Sequence, residues 1–400
     1  LVKMMEEVGA SAVNVSCYGI GKDNFINCTS TPGGLAYLAE AIKMETSLPT
    51  IAIGMMTPEV AETLLEEGKA DLIAFARGYL CDPEIPNKAR EGRTEDIVPC
   101  TACLRCLQEM IFKGNTLMCS VNAALGHERE SEIKPAEKRK RVMVVGSGPA
   151  GVEAARVAAL RGHDVTLYER EEELGGQLRQ ASVPPGKERF GAYLEYLRTQ
   201  ARKHGIQAKV GVDATADLVE REKPDAVVIA TGGMPVLPEI KGLDMGRVVT
   251  AGDVLLGKAK TGEKVLIIGG GLVGCETAHH LVGRCKKITV TEILDAMATQ
   301  KMPFIREAFL EELENNGVEL LTGVTHKEVV ENGAIIVDGK GNERLIEADT
   351  IILAAGAKPD DRLYEEIKGK VKEVYKAGDC VEPRLIGEAV QEGFRIGMRL

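Results

Sequence analysis

Four cysteines stand close together in the segment PCTACLRCLQEMIFKGNTLMCS, residues 99–120. Three follow at intervals of three residues and the fourth comes after a gap of twelve: Cys100, Cys103, Cys106 and Cys119. A structural zinc site usually takes two well-separated pairs of ligands. Three closely spaced thiols and one distant thiol instead suit a 4Fe-4S cluster. The spacing favours the cluster over zinc, over a redox-active CxxC pair and over unliganded thiols.

Two glycine-rich segments downstream share one pattern. Each begins with an apolar strand, turns through three glycines into a helix of small residues, and ends at a second strand with an acid. The two segments are RVMVVGSGPAGVEAARVAALRGHDVTLYER and KVLIIGGGLVGCETAHHLVGRCKKITVTEI. Glu169 and Glu292 are these acids, and each follows its glycine turn at the same spacing. One GxGxxG motif is weak evidence, but two complete units predict two dinucleotide-binding (Rossmann-like) domains.

The residue types in these units indicate which nucleotides they bind. The glycines permit a tight turn and a close approach to a pyrophosphate, and the helix N-terminus supplies amide donors. Each acid would accept a hydrogen bond from a ribose 2′-hydroxyl and repel a 2′-phosphate, which favours FAD at the first unit and NADH over NADPH at the second. A unit without nucleotide is the alternative for each. The predicted NAD site comprises Gly269, Gly271, Gly274, Glu292 and Gly356.

Short glycine-containing turns elsewhere support the same interpretation. Four such turns occur in the order that a flavin and nicotinamide pair would need: GGQ, ATGG, AAGAKPD and AGD. Each of them alone is an ordinary strand-end turn. The predicted FAD site comprises Gly146, Gly148, Pro149, Ala150, Gly151, Glu169, Gly176, Gln177, Gly378 and Asp379.

Residues 1–93 alternate between helical and strand patterns. SAVNVS, LPTIAIG and ADLIAFA are the strands, and this alternation predicts parallel strands with helical crossovers. Three such units suit the final three of the eight units of a TIM barrel, with five expected upstream. Loops after the last two barrel strands commonly bind a phosphate, and here they begin at Gly54 and at Ala76 and Arg77.

The cofactors predicted so far imply an order of electron transfer. NADH delivers two electrons as hydride, an iron-sulfur cluster accepts one at a time, and a flavin does both. FAD is therefore expected between NADH and the cluster. If the barrel also performs a two-electron reaction, a second flavin is needed there, and FMN fits the predicted phosphate loops.

Taken together, these motifs resemble a family of iron-sulfur flavoenzymes over the whole chain. The family includes 2,4-dienoyl-CoA reductase, 2-enoate reductases, bile-acid-inducible NADH:flavin oxidoreductases and trimethylamine dehydrogenase. The resemblance implies an Old Yellow Enzyme-like barrel holding FMN, followed by a 4Fe-4S cluster on the four cysteines and by FAD and NAD domains. It also implies FMN-phosphate contacts at Gly54, Ala76 and Arg77, through the backbone only at Gly54, where some relatives have arginine.

The resemblance implies NADH-dependent reduction of an activated C=C bond in an enoate, an enoyl-CoA or an unsaturated ketone or steroid. The proton donor and carbonyl ligands of that family lie in barrel strands expected upstream, so the catalytic residues and the substrate stay unassigned. Cys17 or Tyr18 in NVSCYGI would line the substrate pocket, although a packed loop is the simpler interpretation. Two alternatives remain: an amine dehydrogenase with ADP in the first unit and an electron-transferring flavoprotein as partner, or an NADH-fed electron-transfer module.

The predicted α/β chain divides into four parts: residues 1–98 as the C-terminal part of the barrel, 99–130 as the iron-sulfur segment, 131–256 with 350–400 as the FAD domain, and 257–349 as the NAD domain. The chain begins and ends inside helical patterns, so we expect a longer protein. The remaining thiols and a histidine pair are expected to be packing or surface residues: Cys28, Cys81, Cys275, Cys285, Cys380, His279 and His280.

Charge and composition bound the partners. The chain has 400 residues and a formal net charge of -10, and its one dense basic run, KPAEKRKR, is interpreted as a solvated linker. We therefore expect a small-molecule substrate, no nucleic-acid partner and no membrane partner. The expected location is cytoplasmic, and a homo-oligomer is one of the expected oligomeric states.

Overall fold

The computed structural model describes residues 1–17, 31–244 and 246–400, so Tyr18 and Cys28 lie outside the described residues. Within this part of the chain the strands form five sheets. One is a three-stranded parallel sheet, two are five-stranded parallel sheets, and two are small antiparallel sheets. The fold class is mixed α/β, as predicted.

Residues 1–98 contain the three predicted strand and helix repeats. The elements are α1 (Val2–Glu7), β1 (Val13–Val15), α2 (Ala36–Lys43), β2 (Thr50–Ile53), α3 (Pro58–Glu66), β3 (Leu72–Ala74), α4 (Arg77–Cys81), α5 (Ile85–Arg90) and a 3₁₀ turn (Thr94–Asp96). The sheet order is β1-β2-β3, with both pairs parallel. The side chain of Thr57 accepts a hydrogen bond from Val60 N–H and so caps the start of α3, just after β2.

The cysteine segment is largely irregular. It contains α6 (Arg105–Leu107), continued by one turn of π-helix (Gln108–Phe112). Ala102 and Leu104 have left-handed backbone conformations, with φ of 55° and 59°. These two residues change the direction of the backbone between successive cysteines, so that the segment bends around its thiols.

The first nucleotide unit begins with β4 (Arg141–Val145), whose last four residues are buried. It continues through α7 (Pro149–Leu160), β5 (Asp164–Tyr168), α8 (Gln177–Ala181), α9 (Glu188–Lys203), β6 (Gln207–Lys209), α10 (Ala216–Glu222) and β7 (Ala226–Ile229). Buried, β-branched strands are typical of parallel sheets covered by helices on both faces.

The following segment carries the second unit. Its elements are β8 (Gly233–Pro235), β9 (Val248–Thr250), α11 (Ala251–Leu255), β10 (Lys264–Ile268), α12 (Leu272–Leu281), β11 (Lys287–Thr291), α13 (Pro303–Asn315), β12 (Val318–Leu321), β13 (Thr325–Val330), β14 (Gly333–Val337), β15 (Glu343–Glu347), β16 (Thr350–Leu353) and β17 (Ala357–Pro359). The chain then returns to the first unit through α14 (Arg362–Ile367), β18 (Glu373–Lys376) and α15 (Ile386–Arg399).

Strand pairing shows how the two units divide the chain. The first sheet has the order β18-β7-β4-β5-β6 and the second β12-β11-β10-β16-β9. Both β9 and β16 pair in the second sheet, outside the predicted range of 257–349. The second sheet therefore extends beyond that range at both ends, because β16 pairs with β10 and β9 pairs with β16.

Helix α15 closes the first unit against α7. Two glycines on α15 permit this contact: a Cβ on Gly393 would lie 2.2 Å from the Ala150 carbonyl oxygen, and one on Gly397 would lie 2.6 Å from Val157 Cβ. The helix therefore lies directly over the glycine turn that begins α7. None of the helices in the described ranges combines the length and the apolar character needed to cross a bilayer.

Candidate functional site

The first glycine turn has the geometry of a phosphate cradle. Gly146 follows β4 with φ of 99°, and a Cβ there would lie 2.2 Å from the Ala230 carbonyl oxygen. A Cβ on Gly151 would lie 1.9 Å from the Gly146 carbonyl oxygen, so α7 can start only if both positions lack side chains. Gly148 faces open space, and Pro149 occupies the first turn of α7. The start of α7 is therefore a tight turn without bulky side chains, as a helix N-terminus that binds a pyrophosphate requires.

Glu169 lies at the end of β5, beside this turn. Its Oε2 accepts hydrogen bonds from the backbone N–H of Ser147 at 2.9 Å and from the Ser147 hydroxyl at 2.6 Å. Its Oε1 accepts from Glu171 N–H at 2.9 Å. The carboxylate is almost fully buried and is held in place before any ribose hydroxyl arrives.

Two further predicted turns meet at the first unit. A Cβ on Gly176 would lie 2.9 Å from Gly148 Cα, and one on Gly378 would lie 3.0 Å from Ala150 Cβ. The Gln177 amide donates to Asp379 Oδ2 at 3.1 Å across these turns. Burial raises the pKa of Asp379 above its ordinary value. The ten residues of the predicted FAD site thus lie around the glycine turn, at the carboxyl ends of β4, β5 and β18.

The second glycine turn repeats this geometry. Gly269 has φ of 110°, and a Cβ on Gly274 would lie 1.9 Å from the Gly269 carbonyl oxygen. Glu292 accepts from Gly270 N–H at 2.8 Å through Oε2 and from Leu294 N–H at 3.0 Å through Oε1. A Cβ on Gly271 would meet only the Gln300 amide nitrogen at 3.9 Å, and Gly356 is open. The predicted NAD site is therefore also assembled around one turn.

A group of charges that sequence reasoning missed connects the two units. Lys187, at the start of α9 in the first unit, forms an ion pair with Glu276 on α12 of the second unit at 2.5 Å. Lys301 approaches the same carboxylate at 3.3 Å, and its ammonium lies 4.5 Å from the Phe309 ring centroid. Burial lowers the pKa of Lys301. The one sequence feature that relates to this contact is the position of Glu276, two residues after Gly274.

A cavity of about 290 Å³ lies above the three-stranded sheet. Among its lining residues are the three predicted phosphate-loop residues Gly54, Ala76 and Arg77, together with Cys17. Cys17 therefore faces the cavity. Residues from distant segments, Cys100 and Arg189, close the other side. The Arg189 guanidinium, which comes from α9, also donates to the Cys100 carbonyl oxygen at 3.0 Å.

A second, much smaller cavity of about 20 Å³ adjoins the first. The four predicted ligands line it together: Cys100, Cys103, Cys106 and Cys119. Across the described ranges, no three Cys, His, Asp or Glu side chains are placed to hold a single metal ion. A cubane of four irons and four sulfides is larger than one ion and takes thiolates spread around it. The four thiols share this lining with a fifth thiol, Cys81, and with polar and apolar side chains.

The environment favours thiolates at two of these positions. A hydrogen bond from Cys81 lowers the pKa of Cys100, assisted by the Ala102 amide and the Arg77 and Arg189 charges. A hydrogen bond from Cys81 likewise lowers the pKa of Cys119, assisted by backbone hydrogen bonds at Val121 and Asn122. Burial raises the pKa of Cys106 to about 11. Thiolates are the ligands that iron-sulfur clusters require.

Cys81 was expected to be an ordinary packing or surface thiol. It is buried, but it lines the same cavity as the four predicted ligands, and its Sγ lies 3.6 Å from Cys119 Sγ. Arg77, four residues earlier on α4, lines both this cavity and the larger one. The short helix α4 therefore contributes residues to both cavities, which lie side by side.

The cysteine segment is also tied to the first nucleotide unit. Arg105, between two of the cysteines, forms ion pairs with Glu109 at 2.6 Å and with Glu388 on α15 at 2.7 Å. Ser120, next to Cys119, packs against α15, because a Cβ on Gly387 would lie 3.3 Å from Ser120 Cα. These contacts place the thiols between the first nucleotide unit and the larger cavity.

Two nucleotide units of this kind on one chain are the hallmark of oxidoreductases that pass electrons between a pyridine nucleotide and a flavin. Residues 140–393 match the family model described as pyridine nucleotide-disulphide oxidoreductase, and the chain belongs to that family. Residues 29–96 match a second model, described as the NADH:flavin oxidoreductase / NADH oxidase family. The resemblance seen in the motifs is thereby confirmed.

Individual relatives match both parts. The chain is 38% identical to an NADH oxidase of Thermoanaerobacter brockii, covering 100% of this chain and 63% of that protein. It is 33% identical to a cinnamate reductase of Clostridium sporogenes, covering 90% and 54%. A solved 2-naphthoyl-CoA reductase complex aligns with a TM-score of 0.89 at 36% identity, covering 94% of this chain and 58% of that chain. The chain spans less than two thirds of the length of these relatives.

Proposed function

We propose that this chain is the electron-input part of an NADH-dependent enzyme that reduces an activated C=C bond. NADH, FAD, a 4Fe-4S cluster and FMN would act in that order, supplying hydride transfer, one-electron transfer and a final hydride transfer. The chain's own residues bind and orient these groups. FAD is assigned to the first glycine turn, NADH to the second, FMN to the larger cavity, and the cluster to the four thiols.

The contact between the two cavities is the observation that carries this proposal. Arg77 and Cys100 line both the larger cavity and the thiol cavity, so groups bound in the two places are neighbours. On its other side the thiol segment is held against α15 of the first nucleotide unit by the ion pair of Arg105 and Glu388. A carrier on the thiols would therefore lie between a flavin on the first unit and a flavin in the larger cavity.

The larger cavity has the charge that an FMN phosphate needs. Arg77 starts α4, Arg189 comes from α9, and both line the cavity. Glu59 also lines it, so the charged lining residues are two arginines and one glutamate, and most of the others are apolar. Gly54 has φ of 125°, and a Cβ there would come within 3.1 Å of Leu35 Cβ, so its loop presents backbone to the cavity. This supports an FMN site with side-chain contacts from arginine and backbone contacts from Gly54.

The proposal is tested by replacing one thiol in the anaerobically purified chain. Cys103→Ala should abolish the cluster, seen as loss of iron, acid-labile sulfide and the broad visible absorbance, while FAD stays bound. The matched control is Cys285→Ala, since Cys285 is a half-buried thiol of the second unit near Thr261. The unmodified chain should contain about four irons and four sulfides, the number that defines a 4Fe-4S cluster. One zinc per chain without iron would contradict the assignment.

The same preparation separates the proposal from its alternatives. NADH should reduce the bound FAD, and the 400-residue chain should pass electrons to an artificial acceptor without reducing cinnamate or an enoyl-CoA. Extending the chain at its N-terminus with the preceding segment of the protein should add C=C reduction. Failure of NADH to reduce the flavin, with ADP bound at the first unit, would favour the amine dehydrogenase alternative. Electron transfer without C=C reduction in the extended protein would favour an electron-transfer module.

A further inference from the structure

A fifth thiol, Cys81, lies beside the four that are assigned to the cluster. It ends α4 and comes from the barrel part of the chain, 38 residues before Cys119, yet the two sulfurs are 3.6 Å apart. Its side chain is only 4% exposed, and it also interacts with Cys100. Because α4 is packed against the larger cavity through Arg77, the position of this thiol is imposed by the fold.

A hydroxyl occupies a similar position on another side of the cavity. Ser120 Oγ lies 3.3 Å from Cys103 Sγ, and Ser120 is buried against α15. Cys81 and Ser120 each carry one proton that can be donated to sulfur. Three of the four assigned ligands, Cys100, Cys103 and Cys119, therefore have a non-ligand donor next to them.

Cys81 is not needed as a ligand. Four thiolates complete a 4Fe-4S cluster, and the spacing of the cysteine segment already supplies four. A fifth thiolate in the same cavity would add negative charge without an iron to bind it. The Cys81 sulfur lies within hydrogen-bond distance of Cys119 Sγ, and a thiol S–H is a hydrogen-bond donor.

We propose that Cys81 and Ser120 donate hydrogen bonds to the cluster-ligating thiolates and thereby raise the reduction potential of the cluster. Hydrogen bonds to the sulfurs are one of the factors that set the potential of such clusters. Donors stabilise the reduced cluster more than the oxidised one, because the reduced cluster carries one more negative charge. This inference rests on the proposed function, since it requires the cluster to be present.

The test is a potentiometric titration of the whole 400-residue chain, followed by electron paramagnetic resonance of the reduced cluster. Cys81→Ala should retain its iron and sulfide but have a lower midpoint potential. We expect about a tenfold change in the ratio of reduced to oxidised cluster at a fixed potential, equivalent to about 59 mV for one electron. Ser120→Ala should shift the potential in the same direction, and Cys285→Ala should not shift it.

A second variant distinguishes hydrogen bonding from packing. Cys81→Ser keeps a donor of similar size, so its potential should lie closer to that of the unmodified chain than the potential of Cys81→Ala does. Full iron content in Cys81→Ala with an unchanged potential would overturn the inference. Loss of iron from Cys81→Ala would overturn it as well, because Cys81 would then be a ligand. Absence of a cluster from the unmodified chain would instead contradict the proposed function.

Discussion

At the scale of single residues, we propose that Glu292 sets the preference of the second unit between NADH and NADPH. Its carboxylate is oriented by the amides of Gly270 and Leu294, and a 2′-phosphate at this position would meet a like charge. Asp295 follows closely in the sequence and adds no positive charge. The unmodified chain should therefore prefer NADH.

Replacing this carboxylate gives the first prediction. Glu292→Ala should weaken NADH binding about tenfold to a hundredfold, corresponding to about 1.5–3 kcal/mol for a hydrogen bond to a charged group. The gap between NADH and NADPH should narrow, because the repulsion of the 2′-phosphate is removed. Steady-state KM values for both nucleotides with an artificial acceptor measure this.

Glu169→Ala provides the matched control, since Glu169 has the equivalent position in the first unit. It should reduce retention of FAD and leave the preference between NADH and NADPH unchanged. Equal or better turnover of the unmodified chain with NADPH would contradict the role assigned to Glu292.

At the scale of elements, each nucleotide site depends on how closely its first helix approaches the preceding strand. The third glycines of the two turns are equivalent: a Cβ on Gly151 or on Gly274 would lie 1.9 Å from a backbone carbonyl oxygen. That oxygen belongs to the turn itself and cannot move without displacing the strand end. One methyl group should therefore separate the helix from the turn and disrupt the phosphate cradle.

Matched substitutions give the second prediction. Gly274→Ala should abolish measurable NADH binding and keep FAD, whereas Gly151→Ala should lose FAD. Gly339→Ala is the control, because Gly339 has an ordinary φ and a Cβ there would meet nothing within 4 Å. Flavin content of the purified variants and titration with NADH are the measurements. Unchanged NADH affinity in Gly274→Ala would show that the nucleotide does not use this turn.

At the scale of the whole molecule, Asp96 connects the segment that carries the three-stranded sheet, residues 1–98, to the first nucleotide unit. Its carboxylate accepts hydrogen bonds from Gln200 at 3.1 Å and from Lys203, both on α9, and from Arg93 at 3.1 Å. Burial raises the pKa of Asp96, but the hydrogen bonds from Lys203, Gln200 and Arg93 outweigh it and lower the pKa to about 2. The ionised form therefore stabilises the contact between the two parts.

The third prediction follows from this pKa. The stabilising contribution should be complete above the ordinary pKa of an aspartate, about 3.9, and should be lost as the pH falls toward 2. Asp96→Asn should lower the free energy of unfolding near neutral pH by about 1–3 kcal/mol and should flatten its dependence on pH below 4. Urea unfolding at a series of pH values measures both effects.

The control for this prediction is Glu132→Gln, since Glu132 and its ion-pair partner Lys134 are both exposed, and exposed ion pairs contribute little to stability. That variant should unfold as the unmodified chain does. An Asp96→Asn variant whose stability curve matches that of the control would show that Asp96 contributes nothing to the contact between the parts.

The motifs and their nucleotides were accessible to sequence reasoning because each is local. A strand, a glycine turn, a helix and a second strand with its acid occupy one continuous stretch, so the spacing alone brings Gly146 and Glu169 together. The repeats of residues 1–98 and the grouping of the four cysteines are equally local. Family membership, which rests on these motifs, was therefore predictable.

Only the tertiary structure decided how these parts meet. Cys81 and Cys119 are 38 residues apart, and Arg189 and Cys100 are 89 apart. Lys187, at the start of a helix of the first unit, contacts Glu276 on a helix of the second unit. The pairing of β9 and β16 in the second sheet likewise joins segments that are distant in the sequence. No periodicity or spacing encodes such contacts, because each depends on the packing of whole elements whose relative positions are set by buried apolar surface.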